Sequence, residues 1–530
     1  MIGDLVQLSP VILVAGTGLL VLIIDLFRGP EVKGASHLAW ITAIGLWAAA
    51  FICYKLWPGA GGGLVHPLMN GGMLVDGYTL FFWLFLLIAT SLAVLVSNGF
   101  DQENNLDHGE YISFFSFALV GMMVMVAAAD MLVLFIALET MSLAVYALVA
   151  MKRDSSRASE GAFKYFINGA VASAILLYGI ALLWGETGTL NLVQLGAALT
   201  AESAGGILYA AAGLVLVGFG FKVAVVPFHM WTPDAYQGAP TPVSGFMASA
   251  VKAAAFAALL RVVFTAMLPN LFGQGTFTFV DMVIGIGIAS MLVGNLMAMH
   301  QVDVKRMLAY SSISHAGFIM LAFSLVPQLG SRLGELRYAS GTVLFYLVGY
   351  GFATLLAFGV LARLGKDGEE ETELGRLQGL ATRRPGLAFL LALALFSLAG
   401  FPPTVGFFGK FYLFRELMVL SRGGLTAVVI IAVINALFSV YYYLRPVVAM
   451  YMQKSEEAKE PREITNPTAT FALIVAALLV LFLGLFPAKL ADISREAGRT
   501  LVYKHAPMLR DGKPGKLAPY AAARKDDSRP

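Results

Sequence analysis

Five ionisable side chains stand inside long apolar runs, and their types suit the carriage of protons. Glu139 lies in MLVLFIALETMSLAVYALVA, Lys222 in VGFGFKVAVVPFHMW, Lys252 in ASAVKAAAF, His315 in SSISHAG and Lys410 in SLAGFPPTVGFFGKFYLF. An ionisable group at bilayer depth costs from about 2.5 to well above 10 kcal/mol, so such groups face the protein interior and usually serve a pathway. A transferable proton needs groups whose affinity for it can be moved toward working pH. In general, burial raises a carboxylic acid's pKa and lowers a lysine's, while a nearby opposite charge does the reverse. A pair such as Glu139 with Lys222 is then switched by separating its members. Lysine shifts readily on burial and arginine stays charged, and no arginine occupies a central position in these five segments.

Plainer roles compete with this one. A buried Glu–Lys pair is often a structural staple, and His315 can be a hydrogen-bonded core histidine. Lys252 has no obvious local acid partner and Lys410 stands next to the double-proline break, which makes a staple a poor account of them. His229, at the inner end of the seventh segment, suits a structural role as well as a relay. Lys164 and Lys305, at inner helix ends, suit anchors whose stems lie along apolar surface with the charge in water. Lys305 is kept with His229, Pro227, Pro402 and Pro403 as a supporting residue.

The elements that must position these groups are membrane helices. Of 530 residues, 58% are hydrophobic and 13% charged, against roughly 45–50% and 25% in soluble proteins. Mean hydropathy is +0.77. A bilayer core needs roughly 20 apolar residues per helix, and apolar segments fall at about 8–28, 37–57, 77–98, 111–128, 131–151, 162–184, 206–228, 241–265, 278–299, 307–326, 339–362, 386–417, 424–451 and 468–488. Alternating barrel strands are absent from the pattern. The expected fold class is therefore all-α, a polytopic membrane protein of about fourteen transmembrane helices. The first segment lacks a basic leader and cleavage site, so it reads as a retained helix.

Composition also excludes functions. One cysteine, Cys53, cannot hold an iron–sulfur cluster, and no nucleotide-binding or HExxH pattern occurs. The net charge of +3 gives no reason to expect nucleic acid. Loop charges set the orientation. With the N-terminus outside, the inside loops hold Arg28, Lys33, Lys152, Arg153, Arg157, Lys305, Arg306, Arg363, Lys366, Arg376, Arg383, Arg384, Lys454, Lys459 and Arg462. The outside loops hold Arg332, Arg337, Arg415 and Arg422, with Lys55 and Arg261 near helix ends. Both termini are expected outside, although the basic tail from about Leu490 runs against the bias and reads as a solvated extension on a neighbour or on lipid headgroups.

Two segments carry breaks. Pro227 follows Lys222 in the seventh, and Pro402 and Pro403 precede Lys410 in the twelfth. Proline removes a backbone donor, which lipid tolerates only where the freed groups are buried or line a wet cavity. Broken helices five apart, in opposite orientation, mark an inverted repeat with an ion path at its interface. The expected organisation is a three-helix segment over 1–110, a first repeat over 111–265 (helices 4–8) and a second over 266–451 (helices 9–13). A fourteenth helix over 452–489 and a polar basic tail over 490–530 complete it.

The runs FKVAVVPFHMWTPDAYQGAPTPVSGFMASAVKAAAF, HQVDVKRMLAYSSISHAG and LAGFPPTVGFFGKFYLF resemble the signature of the antiporter-like subunits of respiratory complex I, NADH:quinone oxidoreductase, and their Mrp-antiporter relatives. The resemblance spans about residues 5–490. It implies fourteen helices with two inverted five-helix repeats and proton translocation through Glu139, Lys222, Lys252 and Lys410, with His315 on the connecting polar axis. Among members, Lys410 stands where the M-type carries glutamate, and the L-type's lateral helix and IHAATMV stretch have no counterpart, so the N-type is the nearest. The resemblance implies no cofactor on this chain, with quinone, NADH, FMN and iron–sulfur clusters in partner subunits. It further implies M-type and K-type membrane neighbours, lipid contacts and a bacterial cytoplasmic (inner) membrane. The rival readings are an Mrp-type cation/proton antiporter subunit and an antiporter-like subunit of a membrane-bound hydrogenase or photosynthetic-type dehydrogenase. A purely structural membrane scaffold would have no use for five buried ionisable groups.

Overall fold

The computed structural model describes residues 2–27, 36–61, 64–106, 108–198, 206–267, 279–325, 333–366, 369–453, 464, 466–501 and 515–516. Arg28, Lys33, Arg332, Lys454, Lys459, Arg462 and most of the basic tail lie outside them. Helices α1 (Ile2–Leu26), α2 (Ser36–Gly61), α3 (Gly77–Ser97), α4 (Gly109–Ala127), α5 (Met131–Ala150), α6 (Ser156–Thr187) and α7 (Gly206–Val223) form the first half. They are followed by α8 (Thr241–Ala266), α9 (Phe279–Met299), α10 (Val304–Phe323), α11 (Leu333–Leu361), α12a (Pro385–Ala399), α12b (Val405–Leu420), α13 (Thr426–Met452), α14 (Pro467–Leu485) and α15 (Pro487–Leu501). Among the described residues, twelve helices are long and apolar enough to cross a membrane. The chain is a polytopic all-α membrane protein. The tenth and twelfth segments fall outside the twelve: α10 opens on Lys305 and Arg306, and the twelfth is divided in two.

Side-chain caps set several helix starts. Asp76 accepts from Thr79 N at 2.8 Å before α3, Asp130 from Leu132 N at 2.8 Å before α5, and Asp303 from Arg306 N at 3.0 Å before α10. Each satisfies an amide that a helix start leaves unpaired. Two small sheets add to the helices: β1 (Leu64–Leu68) pairs antiparallel with β2 (Met73–Val75), and β3 (Gly365–Lys366) with β4 (Glu369–Glu370).

The most apolar stretches of α8 and α11 are wholly buried, so these two helices form the centre. Large apolar side chains on α1, α2 and α13, such as Leu19, Phe51 and Leu437, are exposed, as expected of surfaces whose solvent is lipid. Small residues allow close crossings. A methyl on Gly317 of α10 would stand 2.6 Å from the Gly287 carbonyl of α9.

Both expected breaks are present, with a shift at the first. α7 ends at Val223, four residues before Pro227, because Ala224 turns to φ +60°. The chain is helical again only over Thr232–Gly238. The freed Val226 amide donates to Ser290 Oγ of α9 at 3.0 Å. In the twelfth segment, Gly400 at φ +95° ends α12a, a conformation that glycine adopts without the Cβ penalty. Both breaks contain a cis X–Pro bond, Val226–Pro227 and Pro402–Pro403, and all three prolines are exposed.

Two features depart from the sequence-based expectation. The eighth segment is not a uniform α-helix: Met247–Val251 and Val263–Met267 are π-helical. A π-turn inserts an extra residue and rotates the side chains beyond it to a new direction, here Lys252. The start of the tail is not solvated either. α15 packs on α11 and α3 and buries Ala491, Ser494, Ala497, Gly498, Thr500 and Leu501, and Thr500 Oγ accepts from the Tyr78 amide at 2.9 Å. Small residues on one face let this polar helix lie close against its neighbours, which overall composition does not reveal.

Candidate functional site

The break in the twelfth segment builds the seat of one lysine. α12a leaves its last carbonyls without helical partners, as every helix end does. Lys410 Nζ, on α12b, donates to two of them, Leu398 O at 3.0 Å and Ala399 O at 2.8 Å. The ammonium also lies 5.6 Å from the Phe318 ring centre, so its held charge meets the negative end of a helix dipole and an aromatic face.

Lys252 leaves the π-turn of α8 pointing at α10. It donates to Ser312 O at 2.8 Å and to the Ser312 hydroxyl. Tyr236 and Tyr350 face that same hydroxyl. His315, three residues on, is 5% exposed and carries a tyrosine on each ring nitrogen. Nδ1 is 2.8 Å from Tyr346 OH of α11, and Nε2 is 3.0 Å from Tyr443 OH of α13. A cavity of about 10 Å³ lies among His315, Tyr346, Tyr350, Ser397 and Leu398, roughly the room that one water needs. His315 is therefore part of a hydroxyl network spanning α10, α11 and α13.

Lys222 closes α7 and reaches α5. Nζ donates to Ser142 Oγ at 2.8 Å and Tyr146 OH at 3.3 Å. The expected direct pairing with Glu139 is not what the structure has. Glu139 is half-buried and accepts from Ser173 Oγ of α6 at 2.5 Å. The reason is register: α7 ends opposite residues 142 and 146, one and two turns beyond Glu139 on the same face of α5. Among the described residues no carboxylate lies within ion-pair distance of Lys222, Lys252 or Lys410, which are 5%, 2% and 6% exposed. No direct side-chain hydrogen bond joins Lys222 to Lys252.

His229 is half-buried beside the first break. Lys305 is not a surface anchor: at 2% exposure it is ion-paired with Glu370 at 2.7 Å. Lys164 does sit at the surface, paired with Glu160 at 2.5 Å and Asp234 at 2.7 Å. Sequence reading missed Glu370, which stands in a short polar loop, and the bidentate pair of Arg261 with Asp76. In that pair both guanidinium–carboxylate contacts are 3.1 Å, and both residues are buried. An arginine near the end of an apolar run was the available signal for the second.

Buried lysines on broken and π-distorted helices, held by hydroxyls and carbonyls, mark a class of polytopic membrane subunit. Residues 128–439, which hold all five of the singled-out groups, match the family described as NADH:quinone oxidoreductase/Mrp antiporter, TM. The chain belongs to that family, and within it to the relatives named NADH-quinone oxidoreductase subunit N. It is 37% identical to the Trichlorobacter lovleyi subunit N over 492 residues, covering 92% of this chain and 96% of the relative. To subunit N 1 of Sorangium cellulosum it is 38% identical over 515 residues, covering 94% and 99%. A chain of respiratory complex I from Thermus thermophilus, solved with bound aureothin, superposes with a TM-score of 0.73 at 33% identity, covering 91% of this chain and 98% of that one.

Proposed function

We propose that this chain is a proton-translocating membrane subunit of NADH:quinone oxidoreductase, carrying protons through Glu139, Lys222, Lys252, His315 and Lys410 while electrons travel elsewhere in the complex. One observation carries the reading: three lysines are buried in the protein and held by hydroxyls and carbonyls instead of acids. A lysine kept in this way is costly as a staple. It suits proton exchange, because lysine's proton affinity follows its surroundings. Ser142, Tyr146, Ser312, Tyr346 and Tyr443 supply neighbours that can both donate and accept.

The fold completes the proposal. α10 and the pair α12a/α12b make fourteen crossings together with the twelve long helices. Helices 4–8 (111–265) and 9–13 (266–451) form two inverted repeats, each with its broken helix. The chain sits in the bacterial inner membrane with both termini on the outer side, beside M-type and K-type subunits and lipid. Quinone, NADH, FMN and iron–sulfur clusters belong to partner subunits. The near full-length similarity to subunit N relatives favours this reading over an Mrp-type antiporter.

The test uses the whole complex in inverted membrane vesicles. Lys222→Ala should leave the complex assembled and strongly reduce protons pumped per NADH oxidised. Undiminished pumping by an assembled Lys222→Ala complex overturns the role given to this lysine.

A further inference from the structure

One acid and two lysines meet where α5, α8, α10 and the loop after α11 converge, on the face that the loop charges put inside. Glu370 of β4 accepts from Lys305 Nζ at 2.7 Å and from the Thr241 hydroxyl. Lys152, just beyond α5, lies 3.6 Å from its other oxygen. Lys305 also donates to Ala239 O at 2.8 Å, and Lys152 reaches the other way to Asn104 Oδ1 at 2.9 Å. Side-chain exposure falls from 20% at Lys152 to 2% at Lys305. The cluster therefore runs from the surface into the protein.

Each end of it meets something polar. At the outer end, Asn104 and Lys152 line a cavity of about 1240 Å³ with Asp25, His108 and Arg157. At the inner end, α10 rises seven residues from Lys305 to Ser312, about 10 Å, and Ser312 holds Lys252. Tyr236, buried and facing Ser312, lies on the piece Thr232–Gly238 that packs on α10. Its carbonyl accepts from Ser244 Oγ at 2.6 Å.

We propose that this polar cavity is the inner mouth of the proton path to Lys252, and that Glu370 is the positioning residue that holds Lys152 and Lys305 as the link between them. The proposal rests on the proton-translocating reading above. Burial alone would push the Glu370 carboxyl up, but the Lys305 and Lys152 charges and the hydrogen bonds from Lys305 and Thr241 hold it below the usual glutamate range. It therefore remains an anion facing both lysines at neutral pH. The loop that carries it ties the ends of α5, α8 and α10 to α11, which fixes both lysines in place.

Glu370→Gln in the whole complex tests this, because glutamine keeps the shape and removes the charge. The complex should assemble and oxidise NADH, with protons pumped per NADH falling roughly tenfold, the rate effect of one lost charged hydrogen bond. Glu370→Asp should recover most of the loss, which a role in packing alone would not give. A second variant leaves the cluster intact. Gln102→Cys, exposed in the cavity lining, is modified from the inner face with a bulky, impermeant disulfide-forming reagent. Cys53, this chain's own cysteine, is buried, and the unsubstituted complex treated with the same reagent gives the background from partner subunits. Pumping should fall on modification and return on reduction. Normal pumping by assembled Glu370→Gln, or by fully modified Gln102→Cys, overturns the inner mouth. If Lys252→Ala abolishes pumping in the same vesicles, the proposed function stands without it; if Lys252→Ala also pumps normally, that reading falls too.

Discussion

Gly169→Ala places one methyl against the machinery without touching a charged group. Gly169 lies on α6 opposite Tyr146 of α5, and a Cβ there would run into the Tyr146 hydroxyl, with the ring carbon that bears it at 2.8 Å. That hydroxyl accepts from Lys222 at 3.3 Å. Approach toward the lysine absorbs only part of the push, because hydrogen bonds between such groups close at about 2.7 Å. Retreat breaks the bond outright. The ring has little freedom to swing aside, being edge-on to Tyr165 at 4.6 Å and Phe166 at 5.6 Å. Lys222 is then left with Ser142 alone. A hydrogen bond to a charged group is worth about 1.5–3 kcal/mol, so pumping per NADH should fall roughly ten- to hundredfold if that contact organises the transferring state. The assay is the ratio of proton uptake to NADH oxidation in inverted vesicles, with assembly checked by copurification. Tyr146→Phe supplies the control, since it removes the lysine contact and the worst of the overlap. The two changes should therefore be strongly non-additive. Normal pumping by Gly169→Ala, or additive losses in the double variant, would refute the assignment of Tyr146 as a functional partner of Lys222.

The remaining predictions concern three other sites. Lys410→Met should keep the fold but leave the carbonyls of Leu398 and Ala399 without their donor, with pumping reduced at least about tenfold; an assembled variant that pumps fully would count against the lysine. Arg261→Met should destabilise the protein by about 3–5 kcal/mol by stranding the buried Asp76, seen as a lower thermal midpoint, and adding Asp76→Leu should recover part of the loss. Asp234 is pushed up by burial, but the hydrogen bonds and charges of Lys164 and Arg306 bring its carboxyl below the usual range. Its contribution to stability is therefore complete above about pH 4 and disappears as pH falls through the lowered value. Asp234→Asn should flatten the acid limb of a stability profile, and an unchanged limb would contradict the pairing.

Sequence alone determined the apolar segments, the all-α membrane class, the two broken helices and four of the buried ionisable groups, Lys222, Lys252, His315 and Lys410. It could do so because each is a local property. Twenty apolar residues make a span whatever lies beside them, and a lysine inside such a run is conspicuous without a partner. Who holds each charge was decided only by tertiary structure. Lys222 meets Ser142 and Tyr146 instead of Glu139 because α7 stops at Val223, and Lys252 points at Ser312 after a π-turn that no periodicity announced. Glu370 sits in a loop that looks merely solvated until the fold delivers Lys305, 65 residues away, to its carboxylate. Arg261 and Asp76 are 185 residues apart, and α15 hides its small-residue face against α3 and α11. A chain pattern encodes which face of a helix is apolar, but the rotation and height of one helix against another are set by close packing across many contacts. That relative register decides which side chains touch.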